Sequence, residues 1–345
     1  MSHRSVSLFG AAAAMAVAAA SIVAQTAQPA AKPKSTPKQT AAAKTWTLQR
    51  TADGRPDLQG TWSSASLTPF ERPREFVDRE FFTAEEAAEY TKRVLDQSNR
   101  DRRGTTPQED VNGAYNEAWF ERGTKVAPNL RTSIVVDPPD GRVPALTPEA
   151  REANAARAAI QRRLPEGPED FALPVRCLLW PTAGPPMIPG PYNNNYQIAQ
   201  TRDYVAIDAE MIHDVRIIPL NGRQHLPSSI RQWMGDAVGH WEGDTLVVDT
   251  TNFTDKTRYR GSDQNLHVIE RFTRTGADTI QYRFTIDDPT AFTRPWTGEI
   301  ILSRMAGPLY EYACHEGNYS MLHMLAGARA QEKDKAAEAA GKKSK

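Results

Sequence analysis

Alternate residues from Val205 to Ile217 read Val205, Ile207, Ala209, Met211, His213, Val215 and Ile217, an apolar row with one ionisable member. Side chains on a strand alternate between its faces, so a regular strand turns His213 inward with its aliphatic neighbours. A bulge near Ile212 reverses that direction. Leu266, Val268, Glu270 and Phe272 share a face in the same way, which sets a carboxylate among apolar side chains. A buried carboxylate without a partner has a raised pKa. Inside one barrel, His213 and Glu270 would meet as an acid/base pair, with His213 as base and Glu270 or Asp249 as acid or orienting group. The structural alternative is a core histidine bonded to a carbonyl and a Glu270 paired with Arg271 or Arg283.

A second constellation is Tyr192-Asn193-Asn194-Asn195-Tyr196, approached through Gly184-Pro185-Pro186-Met187-Ile188-Pro189-Gly190-Pro191. Three amides supply donors and acceptors, and two phenol rings supply flat apolar faces with polar tips. Prolines stiffen the approach, as a rim loop needs; the other role for the asparagines is to hold tight-turn dihedrals. A carrier built on this pattern would grip a small, partly apolar ligand with Trp62, Tyr192, Tyr196, Trp241 and Trp296, with Asn193, Asn194 and Asn195 at the rim. His225, His240, His267, His315 and His323 lack metal-ligand spacing, and Cys314-His315-Glu316 has no second spaced pair, so no metal is expected. Gly-x-Ser-x-Gly, phosphate-loop and dinucleotide fingerprints are missing, so no cofactor is expected either. The two functions in view are an exported binding protein and a cofactor-free hydrolase, lyase or isomerase; the partner is a small-molecule ligand or substrate.

The elements that must position these residues are mostly strands. Thr83-Ala84-Glu85-Glu86 is a capping box opening a helix to about Asp96. Thr147-Pro148-Glu149 starts another, to about Leu164, with Ala153, Ala156, Ile160 and Leu164 at helical spacing. Around them the period falls to two. Ser133–Asp137 and Arg142–Ala145 flank a Pro-Pro-Asp-Gly turn, and hairpins follow: Tyr196–Thr201 with Tyr204–Ala209, His213–Leu220 closed by Asn221-Gly222, and His240-Trp241 with Thr245–Phe253. Leu266–Thr275 with Thr279–Asp287 and Trp296–Met305 with Leu309–Cys314 complete the set. The fold class is mainly β, an antiparallel meander closing as a barrel or strongly curved sheet, with two helical insertions.

Gly60-Thr61-Trp62 at the first strand resembles the lipocalin-type barrels, in which such a tryptophan packs across the barrel floor. Tyr192–Ile198, Trp241–Val248 (WEGDTLVV) and Leu266–Phe272 (LHVIERF) resemble a family of uncharacterised secreted proteins of soil bacteria, over about Leu58 to Ala330. That resemblance implies export and a β-rich domain, and no activity.

Arg4 precedes an uncharged Ala-rich run from Val6 to Ala24, with small residues at Ala24 and Ala27, which is the pattern of a cleaved signal peptide over 1–24. Residues 25–44, rich in Ala, Pro and Lys, read as a flexible linker, 45–330 as one β-rich domain and 331–345 as a charged tail. The product is expected in the periplasm or outside the cell, with no integral membrane segment after cleavage. Lys+Arg and Asp+Glu balance at 42 each, which argues against nucleic-acid binding. Residues 45–330 hold 29 Arg but only three Lys: Lys92, Lys125 and Lys256. Cys177 and Cys314, the only cysteines, are expected as one disulfide joining mid-chain to the last strand.

Overall fold

The computed structural model describes residues 46–343 except 103 and 113–115, within one compact unit, Trp46–Lys345. The signal peptide and linker expected over 1–24 and 25–44 lie outside the described residues. Ten strands form the fold: β1 (Gly60–Ser63), β2 (Val135–Asp137), β3 (Asn195–Gln200), β4 (Tyr204–Ala209), β5 (Asp214–Pro219), β6 (Asp236–Glu242), β7 (Thr245–Thr251), β8 (His267–Gly276), β9 (Thr279–Asp287) and β10 (Trp296–Arg304). The helices are α1 (Ala84–Ser98), α2 (Pro107–Asn112), α3 (Pro148–Gln161) and α4 (Ser320–Lys343), the last running through the expected tail boundary at 331.

The sheet follows the order β5-β4-β3-β1-β10-β9-β8-β7-β6, with β2 added beside β10. Every pairing is antiparallel. β5 and β6, the two ends of this path, come together and nearly close a barrel. Eight antiparallel steps separate them, so they point the same way. Two parallel strands cannot share a hairpin and need a long crossover. Asn221-Gly222 therefore does not close the hairpin expected there; residues 220–235 carry the chain back along the barrel to β6.

Alternate side chains of each strand fill the interior: Val205 and Ile207 of β4, Ile218 of β5, Leu246 and Val248 of β7, Val268 and Phe272 of β8, Tyr282 and Phe284 of β9, Ile300 and Leu302 of β10. Gly298 makes room for the Phe284 ring opposite it, since a Cβ there would lie 2.2 Å from Phe284 Cζ. Trp62 closes the end with the short hairpin turns. Its Nε1 donates to Leu58 O at 2.9 Å, and the guanidinium groups of Arg274 and Arg304 lie 5.1 and 4.6 Å from its ring.

The two expected helices form where their caps lie. Thr83 and Glu86 make the reciprocal capping box of α1, and Thr147 Oγ1 accepts from Ala150 N at the start of α3. Two expected strands do not form. Ser133–Asp137 supplies β2, which pairs with β10 and not with 142–145, whose own contacts run to Glu71 and Thr293. Leu309–Cys314 is irregular, because β9 and β1 already occupy both edges of β10. Cys177 and Cys314 are joined at 2.02 Å, so the bridge ties mid-chain to this coil and not to a strand.

Candidate functional site

The expected interior pair does not exist. After β4 the chain turns through Met211–His213, where Ile212 and His213 both take positive φ, 62° and 46°. This kink adds the residue that shifts register by one. Arg216 and Ile218 now face inward, and His213 is exposed. A one-residue slip exchanges the two faces of a strand, and that is the physical reason for the correction.

Glu270 does lie inside, fully buried, and its partner is neither Arg271 nor Arg283. Arg216 reaches it with both terminal nitrogens, Nη1 to Oε1 at 2.9 Å and Nη2 to Oε2. Tyr282 OH donates to Glu270 Oε1 at 2.8 Å and accepts from Met187 N at 2.9 Å. Burial works against the Arg216 charge, and Glu270 outweighs it, so Arg216 titrates above its ordinary range. Burial also pushes the Tyr282 hydroxyl far up, with the Glu270 charge adding to it.

Met187 belongs to the proline-rich segment expected at the rim, and the segment instead enters the barrel. Thr182, Ala183 and Met187 are buried, Tyr196 OH donates to Thr182 O at 2.7 Å, and Tyr282 takes the Met187 amide. Pro185 and Pro186 carry no amide hydrogen, so this stretch goes into an apolar interior with few donors to satisfy.

The proposed ligand-gripping residues are accordingly core members or loop anchors. Trp62, Tyr196 and Trp296 are 0 % exposed. Trp296 is ringed by Phe70, Tyr259, Phe284 and Phe292 at 5.8–6.1 Å. Asn194 is buried and holds its own loop, its Oδ1 accepting from Gly190 N and its Nδ2 donating to Gly190 O and Glu121 O. Asn195 donates to Glu210 at 2.5 Å, and Asn193 takes φ 51°, the turn role expected of asparagine. Tyr192 packs against Trp180, 6.2 Å between ring centres, and Trp241 lies half-buried against the core. These residues do not converge on one pocket.

Asp249 is drawn into a cluster that spacing alone did not show. It projects from the outer face of β7. His225 Nε2 lies 3.0 Å from Asp249 Oδ1, and His267 Nε2 lies 3.1 and 3.0 Å from its two oxygens. The other nitrogen of His225 lies 3.1 Å from Asp236, which also accepts from Arg223 and from Leu226 N. The hydrogen bond from His267 holds Asp249 below the usual carboxylate range, and the same bond raises His267. Burial pushes Asp236 up, but Arg223, Leu226 N and His225 outweigh it and the net shift is downward. Among the described residues no three His, Cys, Asp or Glu side chains are placed to hold a metal.

At the kink, burial raises Asp214 to about 6; the neighbouring Asp208 charge adds to this and His213 opposes it. Asp208 is raised by burial too.

One concavity among the described residues is a groove of about 610 Å³ between α1 and residues 125–130. Ala87, Ala88, Thr91 and Leu95 present one helix face across from Val126, Ala127 and Leu130. The small residues at 87 and 88 leave the hollow. Lys92 and Lys125 stand at its edges; Lys92 pairs with Asp96 at 3.1 Å, and the Lys125 ammonium has no carboxylate partner among the described residues.

No family model and no curated protein matches this chain. Among solved structures, a mutant of the fluorescent protein UnaG aligns at 13% identity over 33% of this chain and 72% of that one, with a TM-score of 0.21. A likeness that shallow gives no ground for assigning a ligand.

Proposed function

We propose that this chain is an exported β-barrel protein that binds a small, partly apolar ligand, with the site in the groove between α1 and residues 125–130 and not in the barrel interior. One observation carries it: the groove combines an apolar floor of ligand size with a rim cation that has no counter-charge among the described residues. Two of the three lysines in 45–330 line it. The matching ligand is a molecule with an aliphatic or aromatic body and an anionic group. Export rests on the leader pattern and on the resemblance to secreted proteins of soil bacteria. The disulfide agrees with it, and no helix among the described residues is long and apolar enough to cross a membrane.

The test is a screen of small aliphatic and aromatic carboxylates by ligand-observed NMR on the wild type, Ala88→Trp and Lys125→Ala. Ala88 is exposed on α1, so a bulky ring there fills the hollow without entering the core. Binding should vanish in Ala88→Trp and weaken about two- to fivefold in Lys125→Ala, the range of an exposed ion pair. Ligands held equally by all three proteins would remove the groove from consideration.

A second reading, a cofactor-free hydrolase, lyase or isomerase, is favoured by the Met211–Asp214 turn. A β-branched residue at positive φ is strained, and such strain concentrates at functional sites. Here it presents an exposed His213 beside an Asp214 raised into the range of a general acid. A panel of esters, lactones and hydroxy acids tests it. Turnover lost in His213→Ala and Asp214→Asn with the fold intact supports the reading, and no turnover of any member by the wild type sinks it.

A further inference from the structure

Residues 220–235 run back along the barrel from the end of β5 to the start of β6, beside the one junction without a backbone ladder. The middle of this segment, residues 223–232, is fastened mainly by polar bonds. Arg223 donates to both oxygens of Asp236 and to Ala237 O, Leu226 N donates to Asp236, and Asn252 Nδ2 donates to Leu226 O. Leu226 and Ile230 are exposed and contribute little burial, while Leu220 and Met234 at the two ends of the segment pack against the core.

His225 is the unusual fastener. Its Nδ1 faces Asp236 of β6 at 3.1 Å and its Nε2 faces Asp249 of β7 at 3.0 Å. An ionised carboxylate only accepts, so both contacts are hydrogen bonds only when both ring nitrogens carry a proton. In either neutral tautomer one lone pair faces a carboxylate oxygen. Asp249 is shared with His267 of β8, whose Nδ1 is 4.0 Å from Asp287 of β9, and Arg223 stands beside Asp236. The surrounding charge is therefore three carboxylates, one arginine and one further imidazole.

We propose that residues 220–235 form a pH-sensitive strap over β6 and β7, beside the β5–β6 junction, fastened while His225 is an imidazolium and loosened when it gives up one proton. In the neutral ring the bond to β6 or to β7 becomes a repulsive contact, and the strap keeps one His225 bond beside its arginine, Asn252 and backbone bonds. The barrel strands, whose ladders do not depend on His225, stay in place.

Hydrogen exchange followed by mass spectrometry tests this at about pH 5.5 and about pH 8.5, either side of the imidazole range, with rates corrected for intrinsic chemical exchange. In the wild type, amides of 223–232 should exchange about tenfold faster at the higher pH, while the β8–β9 hairpin in the same sample stays protected. His225→Gln should exchange fast in the strap at both pH values, with no step. His267→Gln should keep the step, because His225 still faces both carboxylates. A wild-type strap equally protected at both values overturns the proposal. So does a step that survives in His225→Gln or disappears in His267→Gln. Should His225→Gln lose hairpin protection as well, the wild type and His267→Gln decide the matter between them.

Discussion

Arg216 and Glu270 meet fork to fork across the barrel interior, from strands on either side of the junction that has no backbone ladder. β5 brings the cation and β8 the anion, with β6 and β7 between them along the wall. A Cβ on Gly239 of β6 would lie 2.8 Å from Ile218 and Leu220, so a glycine lets the two parallel edges approach closely at this place. The ion pair fastens the barrel from inside where hydrogen bonds between strands do not.

Breaking this pair from one side leaves a charge buried without a partner, and that costs about 3–5 kcal/mol. Glu270→Gln and Arg216→Met should each lose that much in urea denaturation. The double variant Arg216→Met/Glu270→Gln should cost less than the two together, since no isolated charge remains. A double variant equal to the sum of the singles would mean the pair does not act as a unit.

Asp214 gives stability a pH dependence with a definite sign. Its folded pKa, about 6, lies above the ordinary 3.8, so the folded state favours the protonated form. The stability it confers is complete below the ordinary value and is lost as pH rises through about 6. Asp214→Asn should match the wild type in acid and exceed it at neutral pH. His267, also raised, loses its contribution in a higher window, as pH climbs through and beyond the imidazole range. Denaturation midpoints measured across pH separate the two; an Asp214→Asn curve parallel to the wild type would contradict the Asp214 account.

Much of the fold was legible in the residues. The capping box at Thr83 and the 266–287 hairpin follow from local chemistry and period, and they form. What failed was parity. Nothing local in Met211-Ile212-His213 marks two consecutive left-handed residues, since neither Ile nor His favours them, and one inserted residue moved Arg216 inward in place of His213. Asn221-Gly222 is a sound turn signal defeated by topology, because nine strands in a ring force one parallel contact. His225 and His267 were set aside for lack of sequence spacing; Asp249 joins them only after the strap folds back over β7.

The disulfide closes a separation of 137 residues between a buried Cys177 and the coil after β10. On chain entropy such a loop is worth about 4–5 kcal/mol, and measured bridges often deliver less. Cys177→Ser/Cys314→Ser should therefore unfold at clearly lower denaturant, and non-reducing peptide mapping of the wild type should recover the two cysteines in one linked peptide. Free thiols in the protein made in an oxidising compartment would contradict the pairing.

Gly298 and Phe284 offer the most direct check on interior packing. They are opposite in the β9–β10 register, and a Cβ on residue 298 would lie 2.2 and 2.6 Å from Phe284 Cζ and Cε1. The ring has no free side to yield toward: it is fully buried, with Tyr282 at 5.7 Å and Trp296 at 5.8 Å between ring centres. Gly298→Ala must then displace a packed aromatic or bend β10, at a cost of about 1–3 kcal/mol or more. Phe284→Leu alone leaves a void and is also destabilising. Combined, the shorter side chain clears the space that the methyl needs, so the double variant should be more stable than the sum of the singles by about 1 kcal/mol. Urea denaturation of the three variants measures that coupling. A coupling of zero would mean that the glycine is not where the ring rests.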